Sequence, residues 1–120
     1  MKFFDQLQES TREDREALYA VPVIREALSG QVGLEGYVAF LTQAYYHVRH
    51  TVPLLMACGA RLPSSLEWLR KAVCEYIDEE YGHEQWILND IAACGGDAEA
   101  VRLGQPRQAI AQMATYLYHT

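Results

Sequence analysis

Positive charge is scarce in this 120-residue chain. Ten Lys and Arg stand against sixteen Asp and Glu, for a formal net charge of −6 and a pI of about 5.1. The basic residues are scattered, so the electrostatic footprint of a nucleic-acid partner is missing. Long apolar runs are missing too. The longest, "VPLLMACGA", is about half the length a membrane-spanning helix needs, and it contains a proline. The start, "MKFFDQLQESTRED", turns charged at Asp5 and never develops the apolar core of a signal peptide. Cysteine is sparse: Cys58, Cys74 and Cys94 are an odd number at no metal-like spacing. With no export signal, they read as reduced core thiols in a cytoplasmic protein. Sustained period-2 alternation and hairpin dipeptides are absent, which excludes an all-β reading. Without internal repeats or a low-complexity linker, residues 1–120 read as a single helical domain.

What remains is helical, and breakers divide it. A first helix is expected from Phe3 to Tyr19. Pro22 suits the first turn of a short helix ending at Ser29-Gly30. A long helix is expected from Leu34 to Ala60, kinked at Pro53. After the turn "RLPSS", Ser64 or Ser65 can cap a second long helix, which runs to Cys94 and stops at Gly95-Gly96. "GDAEAVRLGQP" holds one short helix, and Pro106 can open the last. The final "IAQMATYLYHT" carries no stop signal, so it reads as a helix from which more chain could follow.

The second long helix carries an apolar stripe through Leu66, Leu69, Val73, Ile77, Ile87 and Ile91. Glu80 and Glu84 fall near the centre of that stripe, and His83 lies on its edge in line with Tyr76. Buried carboxylates one turn apart need an opposing positive charge, a shared proton or a metal. One reading pairs them with Arg70, Lys71 or an Arg from another helix. Another uses Gln43, His47 and His50, a row at i, i+4 and i+7 on the first long helix among Gly36, Phe40 and Leu54. That row equally suits a polar strip at a dimer seam. Antiparallel packing through "RLPSS" could bring it near Glu80, His83 and Glu84. Glu-x-x-His, here "EYGH", offers a carboxylate and an imidazole to iron or manganese.

With these residues in view, "FLTQAYYHVRHTVPLLMACGARLP" followed by "YIDEEYGHEQWILNDIAACGGD" resembles the N-terminal half of the iron-containing redox enzymes of the heme-oxygenase-like fold. These are diiron oxidases and oxygenases related to TenA and PqqC proteins. The resemblance implies an all-α bundle of about seven helices, of which this chain would form part, with two long antiparallel helices at its centre. It implies a non-heme iron site, mono- or dinuclear, with manganese as the other candidate, and O2-dependent oxidation of a small organic substrate. By the same carry-over, His47 (or His50), Glu80 and His83 are the metal ligands. Gln43, His50 and Glu84 are additional or supporting residues; the family's first-helix ligand is usually Glu, and this chain offers Gln43, His47 and His50 instead. Phe40, Tyr46 and Tyr76 are expected to wall a substrate pocket. Nothing after His83 matches the later ligands of the family: either another copy completes the site, or the chain is a piece of a longer protein, or it no longer works as an oxygenase. An incomplete bundle would leave a core face open, so a homodimer is expected. Two other readings stand beside this one: a metal-free TenA-like or PqqC-like module that binds a small molecule, and a structural dimer without catalysis.

Overall fold

The helix-favouring runs between these breakers become nine α-helices and one 3-10 turn in the computed structural model, which describes residues 2–120. No strand occurs among the described residues. They divide into two compact units, one ending at Gly33 and the other spanning Leu34–Thr120.

The first unit holds α1 (Phe3–Ser10), α2 (Arg12–Ala20) and α3 (Pro22–Leu28). The single helix expected from Phe3 to Tyr19 is interrupted at Thr11. The hydroxyls of Ser10 and Thr11 both donate to the Leu7 carbonyl, at 3.0 and 2.8 Å. Such side-chain bonds compete with the helical ladder. Pro22 opens α3, where its missing N–H costs nothing.

The second unit holds α4 (Leu34–Val48), α5 (Thr51–Arg61), the 3-10 turn Ser64–Leu66, α6 (Glu67–Glu80), α7 (His83–Ala93), α8 (Ala98–Leu103) and α9 (Gln108–His119). Both expected long helices are thus broken in two. The first breaks at Arg49-His50, just before the residue that was expected to kink it. Pro53 has no N–H to offer the Arg49 carbonyl, and its ring crowds that oxygen. The second breaks at Tyr81-Gly82, where Tyr81 is extended and Gly82 is left-handed at φ 92°. A residue with a Cβ rarely adopts that conformation.

α5 packs on α6, and α4 packs on α7. The two bent rods therefore run antiparallel, and their breaks lie at the same level. Arg70 fastens the closed end. Its Nε donates to the Gly59 carbonyl at 3.0 Å, and its other nitrogens reach the Leu62 carbonyl and Glu67. Gly59 faces Val73 closely there. The larger core lies at the open end, where Tyr45, Tyr46 and Leu88 pack with Ile87, Ala98, Val101 and Ile110 from α7, α8 and α9. Ile91 of α7 is fully buried as well. Full burial of a Leu or Ile side chain, as at Leu88 and Ile91, contributes about 1.5–3 kcal/mol.

The cysteines do not join this core. All three are free thiols, with Cys58 and Cys74 exposed and Cys94 half-buried. Cys58 and Cys74 are each one position from Gly59 and Val73. A step of about 100° around the helix turns them off the α5–α6 contact. No helix among the described residues is long and apolar enough to cross a membrane.

A Cβ placed on Gly82 meets no atom within 4 Å, so a substitution there tests backbone strain alone. Gly82→Ala is expected to cost about 1–2 kcal/mol, and Gly82→Asn less, because Asn tolerates the left-handed region. Urea denaturation of the three proteins checks the order.

Candidate metal centre

The break at Tyr81-Gly82 falls inside "EYGH". Glu80 is therefore the last residue of α6 and His83 the first of α7. Instead of lining one face of a continuous rod, the two side chains meet across the turn. His83 Nδ1 lies 2.9 Å from Glu80 Oε2. The Glu80 side chain is 22% exposed and that of His83 31%. Trp86, one turn into α7, places its ring 4.3 Å from the His83 ring, tilted by 40°. A carboxylate at the C-terminus of a helix is in the wrong field by about 0.3–1 kcal/mol. The hydrogen bond with His83 offsets that cost.

Glu84 no longer shares a helix with Glu80. It lies in the first turn of α7, where the positive end of the helix dipole favours a carboxylate. Neither glutamate is neutralised by the basic residues weighed for that role. Arg70 is committed to the closed end of the hairpin, and Lys71 pairs with Glu75 at 3.8 Å.

The row Gln43, His47 and His50 serves α9. The side-chain oxygen of Gln43 accepts from the Arg107 N–H at 2.9 Å, at the start of that helix. At its other end, His50 Nδ1 lies 3.0 Å from the Tyr118 hydroxyl, with the two rings edge to face. α9 thus runs parallel to α4, fastened at both ends. His47 lies between these anchors and is exposed. Among the described residues, no three His, Cys, Asp or Glu side chains come close enough together to hold one ion. The structure unites Glu80 with His83 and does not bring His47, His50 or Gln43 to them.

The three residues expected to wall a pocket are also separated. Tyr46 is buried in the core, and its hydroxyl lies against Gly104, where a Cβ would collide with it. Phe40 and Tyr76 are exposed on α4 and α6. Two participants escaped the sequence reading. Gly82 makes the turn, and its signal was a glycine inside an otherwise helical run. Trp86 was assigned no role, although its place three residues after His83 puts it over that ring.

The donor types present, a carboxylate oxygen and an imidazole nitrogen, suit iron or manganese. Residues 38–120 match the model of a family described as iron-containing redox enzyme, of the heme-oxygenase-like fold. The chain belongs to this family. No curated protein and no solved structure matches it. The all-helical architecture is that of a heme-oxygenase-like bundle, and the matched region includes the helix break between Glu80 and His83.

His50 is held below the ordinary histidine range, first by burial and then by the positive charge of Arg49 and of His47. The fold therefore favours neutral His50, while the unfolded chain takes a proton near pH 6.5. The contribution of His50 to stability is full above about pH 6.5 and declines as the pH falls through its lowered folded value. The stability difference between wild type and His50→Gln should accordingly shrink on acidification from about pH 7.5 to 5. Parallel thermal denaturations across that range measure it.

Proposed function

We propose that Glu80 and His83 form the iron-binding pair of this chain, and that its chemistry is O2-dependent oxidation of a small organic substrate. Family membership supports iron. The observation that carries the choice of residues is the 2.9 Å contact between Glu80 and His83 across the α6–α7 break. The pair is half-buried, so water screens it less than a surface pair. When bound, iron supplies the redox chemistry with O2 that these side chains lack. Glu80 supplies an anionic oxygen that offsets the charge of a cation. His83 supplies a neutral nitrogen, and Trp86 limits the rotation of its ring. To take up an ion, the pair must first give up the hydrogen bond between its two members. Tyr76, four residues before Glu80 and on the same side of α6, is the predicted pocket residue best placed to contact a substrate held there.

The same hydrogen bond supports a second reading. A carboxylate that orients an imidazole is also an acid–base pair, as a metal-free small-molecule-binding relative would need. Metal binding separates the two. Under the first reading, the anaerobic chain takes up Fe(II), and Glu80→Gln and His83→Ala each weaken uptake by more than 10–100-fold, roughly the cost of losing only a supporting hydrogen bond to a ligand. Helix content by circular dichroism should stay unchanged. Equal iron occupancy in wild type and both variants would overturn the assignment. Absence of iron from all three would favour the acid–base reading.

A further inference from the structure

We infer that Arg49, in the break between α4 and α5, binds an oxyanion: the carboxylate or phosphate group of a small molecule. The inference goes beyond the iron reading of Glu80 and His83 and does not depend on it.

The first observation is what the Arg49 guanidinium lacks. Three arginines among the described residues are half-buried: Arg15, Arg49 and Arg70. Arg15 places its nitrogens on the Gln8 side chain and on the backbone carbonyls of Gln8 and Thr11. Arg70 reaches the Gly59 and Leu62 carbonyls and pairs with Glu67. Arg49 has no such acceptor. Among the described residues, no carboxylate lies within ion-pair distance of it and no oxygen accepts a hydrogen bond from its side chain. A guanidinium carries five N–H donors in a planar fork and keeps its charge at every working pH. Leaving such donors unpaired away from bulk water costs free energy, which an acceptor brought by a ligand offsets.

The second observation is what holds the group in place. The central carbon of the guanidinium lies 5.2 Å from the centroid of the Tyr46 ring and 5.9 Å from that of Tyr45. Both tyrosines are buried, and their rings meet edge to face at 5.6 Å. The rings attract the cation by their quadrupoles. They offer no oxygen to its N–H groups, so the charge is positioned and the donors stay free. A side chain ordered before its ligand arrives loses less entropy on binding.

The third observation is the sign of the field. The segment "HVRH", His47 to His50, contains no acid. His47 and Arg49 both act on His50 as positive neighbours. In a chain of net charge −6 this is a local reversal. Glu84, on the helix packed against α4, stays outside ion-pair distance of Arg49. The fork of an arginine matches two oxygens of one carboxylate or one phosphate, and a spherical anion cannot use that geometry.

The test titrates the full chain, labelled with nitrogen-15, with sodium acetate, with inorganic phosphate and with chloride as the reference, all at constant ionic strength. The Arg49 Nε–H resonance is followed by NMR. It should shift and saturate with acetate, with phosphate or with both, and not with chloride; which of the two saturates it identifies the preferred group. Arg49→Gln should weaken binding by about 10–100-fold, the cost of losing hydrogen bonds to a charged group. Arg49→Lys keeps the charge and loses the fork, so it should bind more weakly than wild type and more tightly than Arg49→Gln. For both variants the resonances of residues beside position 49 report binding, and circular dichroism should be unchanged. Wild-type shifts that rise linearly and alike with all three anions overturn the site. So does equal affinity in wild type and Arg49→Lys, the comparison that decides if Arg49→Gln loses helix content.

Discussion

A residue at φ 92° ends the run of helical dihedrals that leads into it, and Gly82 does so in the middle of what would otherwise be one rod from α6 to α7. Had the rod continued, Glu80 and Glu84 would be like charges one turn apart on its apolar face, with no cation to relieve them. The break separates them. Glu80 turns to His83, and Glu84 moves to the favourable end of a new helix dipole. The partner rod is interrupted at the same level by the demands of Pro53. Because α4 packs on α7 and α5 on α6, a bend in one rod alone would open a gap against the other. Two local causes, a missing side chain and a missing N–H, thus act on facing strokes of one hairpin.

Much of this architecture was legible in the chain. The helical class, the turn at "RLPSS", the start of α3 at Pro22 and the stop at Gly95-Gly96 follow from breakers whose effect is local. The breaks inside the long helices were less legible, because each rests on a single residue that periodicity alone does not weigh. Pro53 was read as a kink, but the clash it makes lies four residues upstream. Gly82 sat in the variable positions of Glu-x-x-His and was passed over as spacing.

The destination of the histidine row could not be read for a different reason. Periodicity shows which residues share a face, but not which element covers that face. Gln43, His47 and His50 do share one, and α9, from the far end of the sequence, lies along it. Cys58 and Cys74 illustrate the same limit. Small apolar neighbours suggested a core, yet the adjacent Gly59 and Val73 face the contact while Cys58 and Cys74 are exposed. The pairing of Glu80 with His83, in contrast, survived the change of backbone, since residues this close in sequence meet on a continuous helix or across a tight turn.

The ring contact between His83 and Trp86 gives this molecule an optical property of its own. There are two tryptophans, and the other, Trp68, lies at the opposite end of α6. An indole beside an imidazole responds to the charge on that ring, through the same attraction that draws cations to aromatic faces. One of the two indoles therefore lies against His83, and the other does not share that contact. Intrinsic fluorescence thus carries a signal from His83 without any label.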